Sequence, residues 1–397
     1  MMKVLQINTV YPKGSTGKIA KGIHDVCAEH GIECKTAYRY SEKNDNFSDT
    51  FTVSSWWDTH IHNRLARVTL FQGMFSKRKT KAFLRQVDKY APDIIHVHNV
   101  HGNYIYIPAL FEYMSSRNIK TVWTLHDCWS FTGNCPHFEF INCKKWQTEC
   151  SNCPIYKNKV NQKAVTKMFH LKKKYFGRAH NMTIVTPSEW LAGLVKQSFL
   201  GGYPVKVINN GIDLSVFKPT DSDFREKRAC QNKHILLGVA FGWGYKKGLD
   251  VFVELSKRLT SEYQIVLVGT DDDIDKQLSG NIISIHRTNN QAELAEIYTA
   301  ADLFVQPTRE DTYPTVNIES LACGTPIVTF RTGGSPEIVD DTCGSVIDVD
   351  NIDAMEREII RICEEKPYSK EDCILRASRF DMKKRFEEYV DLYKALL

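Results

Sequence analysis

Two carboxylates, Asp311 and Glu319, sit in the most densely patterned stretch of the chain. It runs from Pro307 to Val339 and reads PTREDTYPTVNIESLACGTPIVTFRTGGSPEIV. The short apolar run Asp302 to Val305 just before it reads as a buried strand. A polar loop, Thr308 to Thr312, follows and carries Glu310 and Asp311. Pro314 suits a first helical turn because its φ is already fixed there. Val316, Ile318, Leu321 and Ala322 then make a helical stripe that Gly324 stops. Pro326 to Phe330 reads as the next strand. Gly333-Gly334 turns it into another helix, with Pro336 early and Glu337 in the first turn. Two helix N-termini then lie at the carboxyl ends of parallel strands. Free backbone N–H groups and the helix dipole make such a place fit for phosphate and sugar hydroxyls.

Other segments carry candidate chemistry. The loop YPKGSTGK follows the strand Val4 to Ile7, and Gly14 and Gly17 bracket Ser15-Thr16. A glycine-bearing loop between strand and helix lets backbone approach a diphosphate or sugar. It has neither the P-loop signature nor the GxGxxG spacing. A second such loop, FGWGYKKG, holds Lys246 and Lys247 ahead of a helix starting near Leu249. His126 stands at the carboxyl end of the strand Thr121 to Leu125. His96, His98 and His101 read as cleft wall or core, because their spacing along a strand need not converge on a metal. Arg287 ends the strand Ile282 to Ile285, a position suited to a nucleotide base. Asp271 to Asp273 contains D-x-D and reads as a solvated turn. Cys135, Cys143, Cys150 and Cys153 have the spacing C-x7-C-x6-C-x2-C. Zinc takes four thiolates in a tetrahedron, and C-x2-C is the usual half-site, so these four are a candidate structural zinc set. Free thiols in a loop are the other reading.

The order carboxylate-x7-Glu, A-C-G-T-P, G-G-x-P-E-I-V resembles the retaining glycosyltransferases of family 4. The resemblance implies the GT-B fold and a sugar-nucleotide donor, UDP- or GDP-linked, with no catalytic metal. It implies transfer to a glycan or lipid-linked acceptor with retention at the anomeric carbon. Counting back from Glu319 gives Asp311 the carboxylate that holds the donor sugar, with Glu310 the runner-up. Glu319 matches the ribose ligand, and Lys247 the phosphate-binding lysine. The family usually has arginine five residues before that lysine; here Gly242 stands there, and Lys246 is the substitute charge. Thr312, Tyr313, Pro314 and Thr315 belong to the same donor loop. His126 matches a histidine that touches the donor sugar, and the loop of Gly14 and Gly17 faces the acceptor and the donor phosphates. The run W-T-L-H-D-C-W-x-F-T-G and the cysteine insertion, about 128–154, resemble a subgroup found among exopolysaccharide enzymes.

These residues need a scaffold. A length of 397 residues with 42% hydrophobic and 25% charged is ordinary for a soluble globular protein of two or three domains. The start, MMKVLQINTVYP, reads as a first strand rather than a signal peptide, and no apolar run approaches a membrane span. Both point to the cytoplasm. The remaining cysteines Cys27, Cys34, Cys230, Cys323, Cys343, Cys363 and Cys373 are scattered and read as core. Net charge is +5, but Ile61 to Tyr90 carries eight Lys/Arg against one acid, and Lys157 to Arg178 eight against none. The first run interleaves Leu65, Val68, Phe71, Met74 and Phe75. It reads as an amphipathic basic helix or helix pair, and an anionic inner membrane face is a candidate partner.

Repeated strand–helix alternation predicts two Rossmann-like α/β domains facing across a cleft. The first spans 1–213 and is completed by a helix at 382–397; the second spans 214–381. Phe217 to Arg228 reads as linker. Two rival functions fit parts of the chain. One is another GT-B enzyme, such as a phosphorylase or epimerase. The other is a zinc-dependent nucleic-acid binder using the basic half. The ordered donor motifs favour the transferase, with no nucleic-acid partner.

Overall fold

The computed structural model describes residues 1–41 and 47–397. Every strand pair in it is parallel. Parallel strands are covered on both faces and so read as near-continuous apolar runs. The first sheet contains β1 (Lys3–Ile7), β2 (Glu33–Tyr38), β3 (Thr50–Thr52), β4 (Ile94–Val97), β5 (Lys120–Thr124), β6 (Met182–Thr186) and β7 (Val205–Val207). Its order is β3-β2-β1-β4-β5-β6-β7. The second contains β8 (His234–Val239), β9 (Tyr263–Val268), β10 (Ile282–Ile285), β11 (Leu303–Gln306), β12 (Ile327–Phe330) and β13 (Gly344–Ile347), in the order β10-β9-β8-β11-β12-β13. All residues of β4, β11 and β12 are buried. Helices cover both faces, so each unit is doubly wound. In each sheet the strand order reverses once, between β1 and β4 and between β8 and β11. Crevices for ligands open outside the carboxyl ends of strands at such reversals.

The chain forms two compact units, residues 1–209 with 385–397, and residues 210–384. The helix Met382–Leu396 thus carries the chain back to the first unit. There the Tyr393 hydroxyl lies 2.6 Å from His96 Nδ1, and Thr124 Oγ1 lies 2.7 Å from the other ring nitrogen. Phe386 lies against Gly22, where a Cβ would come within 2.1 Å of its ring.

One sequence reading needs correction. Residues 217–228 are not a free linker. Phe217 and Phe224 are buried in the second unit's core. Arg225 pairs with Asp302 at 2.5 Å and donates to the Ala300 carbonyl. The two apolar residues and the arginine seal that segment onto the sheet, which a polar composition conceals. The second basic run is not exposed throughout. It forms most of the helix Lys159–Phe176, and Lys172 inside it is fully buried. The seven scattered cysteines are all buried, as core residues should be.

Gly248 sets the approach of two loops. It has φ +76°, and a Cβ there would meet the Pro307 carbonyl at 2.3 Å. Any L side chain combines left-handed strain with a backbone clash. We expect Gly248→Ala to cost about 2 kcal/mol or more of stability, the upper part of the range for strained backbone. Chemical denaturation measures it, and an unchanged midpoint would refute the close approach.

Candidate functional site

At the reversal in the second unit, two loops meet. One follows β8 and tightens into a 3-10 turn, Tyr245–Lys247, ahead of the helix Leu249–Arg258. The other follows β11 and leads into the helix Thr315–Ala322. Their backbones are joined: Arg309 N–H donates to the Lys246 carbonyl at 2.8 Å. Their side chains pair. Lys247 Nζ lies 2.8 Å from Asp311 Oδ2, and Lys246 Nζ lies 2.8 Å from Glu310 Oε1. Glu310 is buried while Lys246 is half exposed, and Glu310 Oε2 has no hydrogen-bond partner. A buried carboxylate oxygen without a donor is costly, and a ligand hydroxyl would satisfy it.

The loop after β11 is far more buried than its polar composition implies, with Thr308, Arg309, Glu310 and Thr312 all inside. Arg309 explains how. Its guanidinium meets both oxygens of Asp250 at 2.8 Å and also bonds Asp350. It donates to the Tyr245 carbonyl and stacks 3.9 Å over the Tyr245 ring. Asp250 lies in the first turn of the helix after Lys247, so one side chain locks both loops. Sequence reasoning missed Arg309: it sits in the motif, but its partners lie tens of residues away.

The remaining predicted residues fall as follows. Pro314 stands at the N-cap of the helix Thr315–Ala322, which has no side-chain cap. Its first amides are therefore a dipole end suited to an anion. Thr315 opens that helix. Tyr313 N–H donates to Asp311 Oδ1 at 3.3 Å, while the Tyr313 ring packs in the core against Phe380. Glu319, one turn further on, accepts from the Tyr298 hydroxyl at 3.2 Å. Burial and the Glu319 charge raise the Tyr298 pKa, keeping it a donor. Arg287 is exposed beyond the edge strand β10. Asp271 caps a short helix by accepting from Asp273 and Ile274 N–H. Near it Asp272, Asp275 and His286 converge at the surface.

Gly14, Gly17 and His126 belong to the first unit. Gly14 has φ +68°, and a Cβ on Gly17 would lie 3.1 Å from Pro12 backbone, so the loop after β1 folds tightly. The His126 ring follows β5. It lies 3.2 Å from His98 Nδ1, whose other nitrogen lies 3.0 Å from Gln6 Oε1. Gln6 donates its amide to the Ala20 carbonyl at 2.8 Å, which leaves its oxygen for His98. His98 Nε2 therefore carries the proton, and His126 Nε2–H donates to His98 Nδ1. Burial holds His126 down to about 4 and His96 to about 3, and pushes His98 well below the usual range. All three are neutral at pH 7. His101 pairs instead with Asp127 at 2.9 Å.

Cys135, Cys143, Cys150 and Cys153 line one pocket with Phe138 and Trp146. No three of the four sulfurs lie within 4.8 Å of one another. Gly133 N–H points at Cys150 Sγ at 3.1 Å, and burial pushes that thiol up to about 12. Lys172 fastens the segment from below, donating to the carbonyls of Trp129 and Thr132 at 2.6 and 3.1 Å.

A family model described as group 1 glycosyl transferases matches residues 221–388, and one described as glycosyltransferase family 4 matches residues 38–216. The chain belongs to glycosyltransferase family 4. This glycosyltransferase is 22% identical over 370 residues to WcaC of Escherichia coli strain K12, a protein named for colanic acid biosynthesis. The alignment covers 88% of each chain. Its fold is GT-B. Sucrose-phosphate synthase of Thermosynechococcus elongatus matches it with TM-score 0.74 at 15% identity, over 100% of this chain and 99% of that one. HepE of Anabaena, solved with UDP-glucose, matches with TM-score 0.66 at 13% identity over the whole of both chains.

The buried histidines give the glycosyltransferase a pH signature. In the unfolded chain each titrates near ~6.5; folded, His126 waits until about 4. Between those values the unfolded state binds more protons, so stability is complete above pH 6.5 and falls as pH drops toward 4. Denaturation midpoints measured across this window should decline, with a shallower slope in His96→Gln. Midpoints level from pH 7 to about 4.5 would contradict the neutral, buried assignment.

Proposed function

We propose that the enzyme moves a sugar from a UDP- or GDP-linked donor to a glycan or lipid-linked acceptor, with retention of anomeric configuration. The product belongs to a cell-surface or extracellular polysaccharide. The observation that carries this reading is the pair of lysine–carboxylate contacts at the β8/β11 reversal, with Glu310 Oε2 left unpartnered. Two cations, an uncapped helix N-terminus and a buried acceptor oxygen suit a diphosphate joined to a sugar. The UDP-glucose in HepE and the name of WcaC favour the same class of donor and product.

In this scheme catalysis is positioning plus electrostatics. Lys247, held beside Asp311 before the donor arrives, turns to the diphosphate and stabilises the charge that develops as it leaves. Lys246 adds a second cation in place of the arginine that the family has at the Gly242 position, and the two lysines take the part a metal ion would otherwise play. Asp311 and Glu310 accept sugar hydroxyls. Glu319, steadied by Tyr298, accepts from the ribose. In the first unit, His126 is assigned to the donor sugar, and the loop of Gly14 and Gly17 to the acceptor and the donor phosphates. Neither Asp311 nor Glu310 is assigned to attack, so transfer is front-face, with the leaving phosphate taking the acceptor proton.

Lys247→Ala should lower turnover by about 10²–10³, the usual effect of deleting one preorganised donor, with the melting curve retained. Glu319→Gln should weaken nucleotide binding in calorimetry. Thermal shifts with UDP- and GDP-sugars identify the base, because only a bound ligand raises stability. Absence of any shift with all sugar nucleotides would defeat the donor reading. A product of inverted configuration, or a glycosyl group trapped on Asp311 or Glu310, would defeat the mechanism.

We assign one structural zinc to Cys135, Cys143, Cys150 and Cys153. Supporting this are their shared pocket and a segment whose regular structure is limited to short 3-10 turns. Zn–S bonds of ~2.3 Å require the sulfurs to swing inward. Protein purified without added metal should carry one zinc per chain. Four titratable thiols and no zinc would sink the assignment.

A further inference from the structure

The helix Trp56–Thr69 is amphipathic the wrong way round. Ser55 caps it, and the face it buries consists of Thr59, His62 and Ala66. The face it turns to solvent carries Trp57, Ile61, Leu65 and Val68, which are 73%, 59%, 41% and 76% exposed. At ~100° per residue these four fall within an arc of about 80°, and at ~1.5 Å per residue the stripe is about 16 Å long. A surface helix of a protein in water does the reverse. Trp56, also exposed, stacks on His60 at 3.7 Å along one side of the stripe.

Charge surrounds this stripe. Arg64 and Arg67 flank it on the side of His60. The next helix, Lys77–Tyr90, exposes Lys77, Arg78, Lys79, Lys81, Arg85 and Lys89. Among the described residues no carboxylate pairs with any of these eight cations; Asp88 is taken by Arg117 at 2.9 Å. The helices are tied together: His62 Nδ1 lies 2.9 Å from Ser76 Oγ, and the His62 ring meets Phe75 edge-on at 5.3 Å. The sequence pattern drew attention to Phe71, Met74 and Phe75, but Phe71 and Met74 pack against the core. The unpartnered apolar residues lie earlier, from Trp56 to Val68.

We propose that this face lies on an anionic lipid bilayer, with Trp57, Ile61, Leu65 and Val68 entering the interface and the two helices' basic residues meeting lipid headgroups. Tryptophan favours the membrane–water boundary, and an interfacial helix combines an apolar face with flanking cations. A second copy of the chain is a poor occupant, because an isologous contact would bring the same eight cations together. Nucleic acid is a poor one as well, since Ile61, Leu65 and Val68 offer no ring for a base to stack on. The residues assigned to the sugar nucleotide lie on other elements, so the surface stands or falls independently of them.

Co-sedimentation of the full chain tests this with two vesicles, pure phosphatidylcholine and phosphatidylcholine with one-third phosphatidylglycerol. Three proteins are compared: wild type, a Trp57→Ser, Ile61→Ser, Leu65→Ser, Val68→Ser variant, and a Lys77→Gln, Lys79→Gln, Lys81→Gln variant. All the substitutions are at exposed positions, and circular dichroism melts verify the folds. Wild type should prefer the anionic vesicle at least a hundredfold. The triple charge variant should bind it about a hundredfold more weakly, each cation near the surface being worth about fivefold. The serine variant should lose at least tenfold although its charge is unchanged. Equal binding to both vesicles, or a serine variant that binds like wild type, would overturn the proposal. So would a lipid-free dimer or an RNA complex that the serine substitutions abolish while vesicles are ignored.

Discussion

Arg309 holds the architecture of the second unit's loops together. Its fork reaches both oxygens of Asp250, a carboxylate oxygen of Asp350 and the Tyr245 carbonyl, while its plane stacks on the Tyr245 ring. Lysine could not do this, because the contact needs a planar, multiply donating group. The arginine is buried, yet its charge is matched by two acids, so the usual penalty of an isolated interior ion does not apply. With Arg309 locked, Lys246 and Lys247 stay at the rim beside Glu310 and Asp311. The cations that face a ligand are thus distinct from the cation that shapes the loops.

The same division appears at the level of the sheets. The buried parallel strands set where chain reversals occur, and the loops at those reversals carry the polar side chains. In the first unit, Gln6 of β1, His98 after β4 and His126 after β5 form one hydrogen-bonded line across neighbouring strands. The amide of Gln6 decides which nitrogen of each ring bears a proton. A buried polar line of this kind is tolerated because its hydrogen bonds satisfy one another.

Much of this was legible in the residues. Strands such as Ile265 to Val268 and Leu303 to Val305 announce themselves as apolar runs, and the spacing around Asp311 and Glu319 marks the loops that the fold brings together with Lys247. The seven scattered cysteines behave as hydrophobes. What escaped detection depends on contacts distant in sequence. Nothing near Arg309 signals Asp250 or Asp350. Phe217 and Phe224 look isolated in a polar stretch until the helix Gln291–Ala300 packs beside them. Lys172 looks like one more cation in a basic run, although its helix turns it inward beneath Trp129. Periodicity shows that the helix Trp56–Thr69 is two-faced, but it cannot tell which face meets the core. That is decided by neighbours, and they took the small and polar side.

The return of residues 385–397 to the first unit has a consequence for synthesis. On the ribosome, the sheet from β1 to β7 emerges long before Phe386 and Tyr393 exist. Until the intervening 210–384 has been translated, Gly22 lacks its aromatic cover and His96 lacks its phenol partner. Domains ordinarily mature in the order they leave the tunnel. Here the earlier-made half cannot be finished until the later-made half has been threaded out. The nascent protein therefore carries an open seam along β4 while residues 210–384 are made, and emergence of the helix Met382–Leu396 closes it.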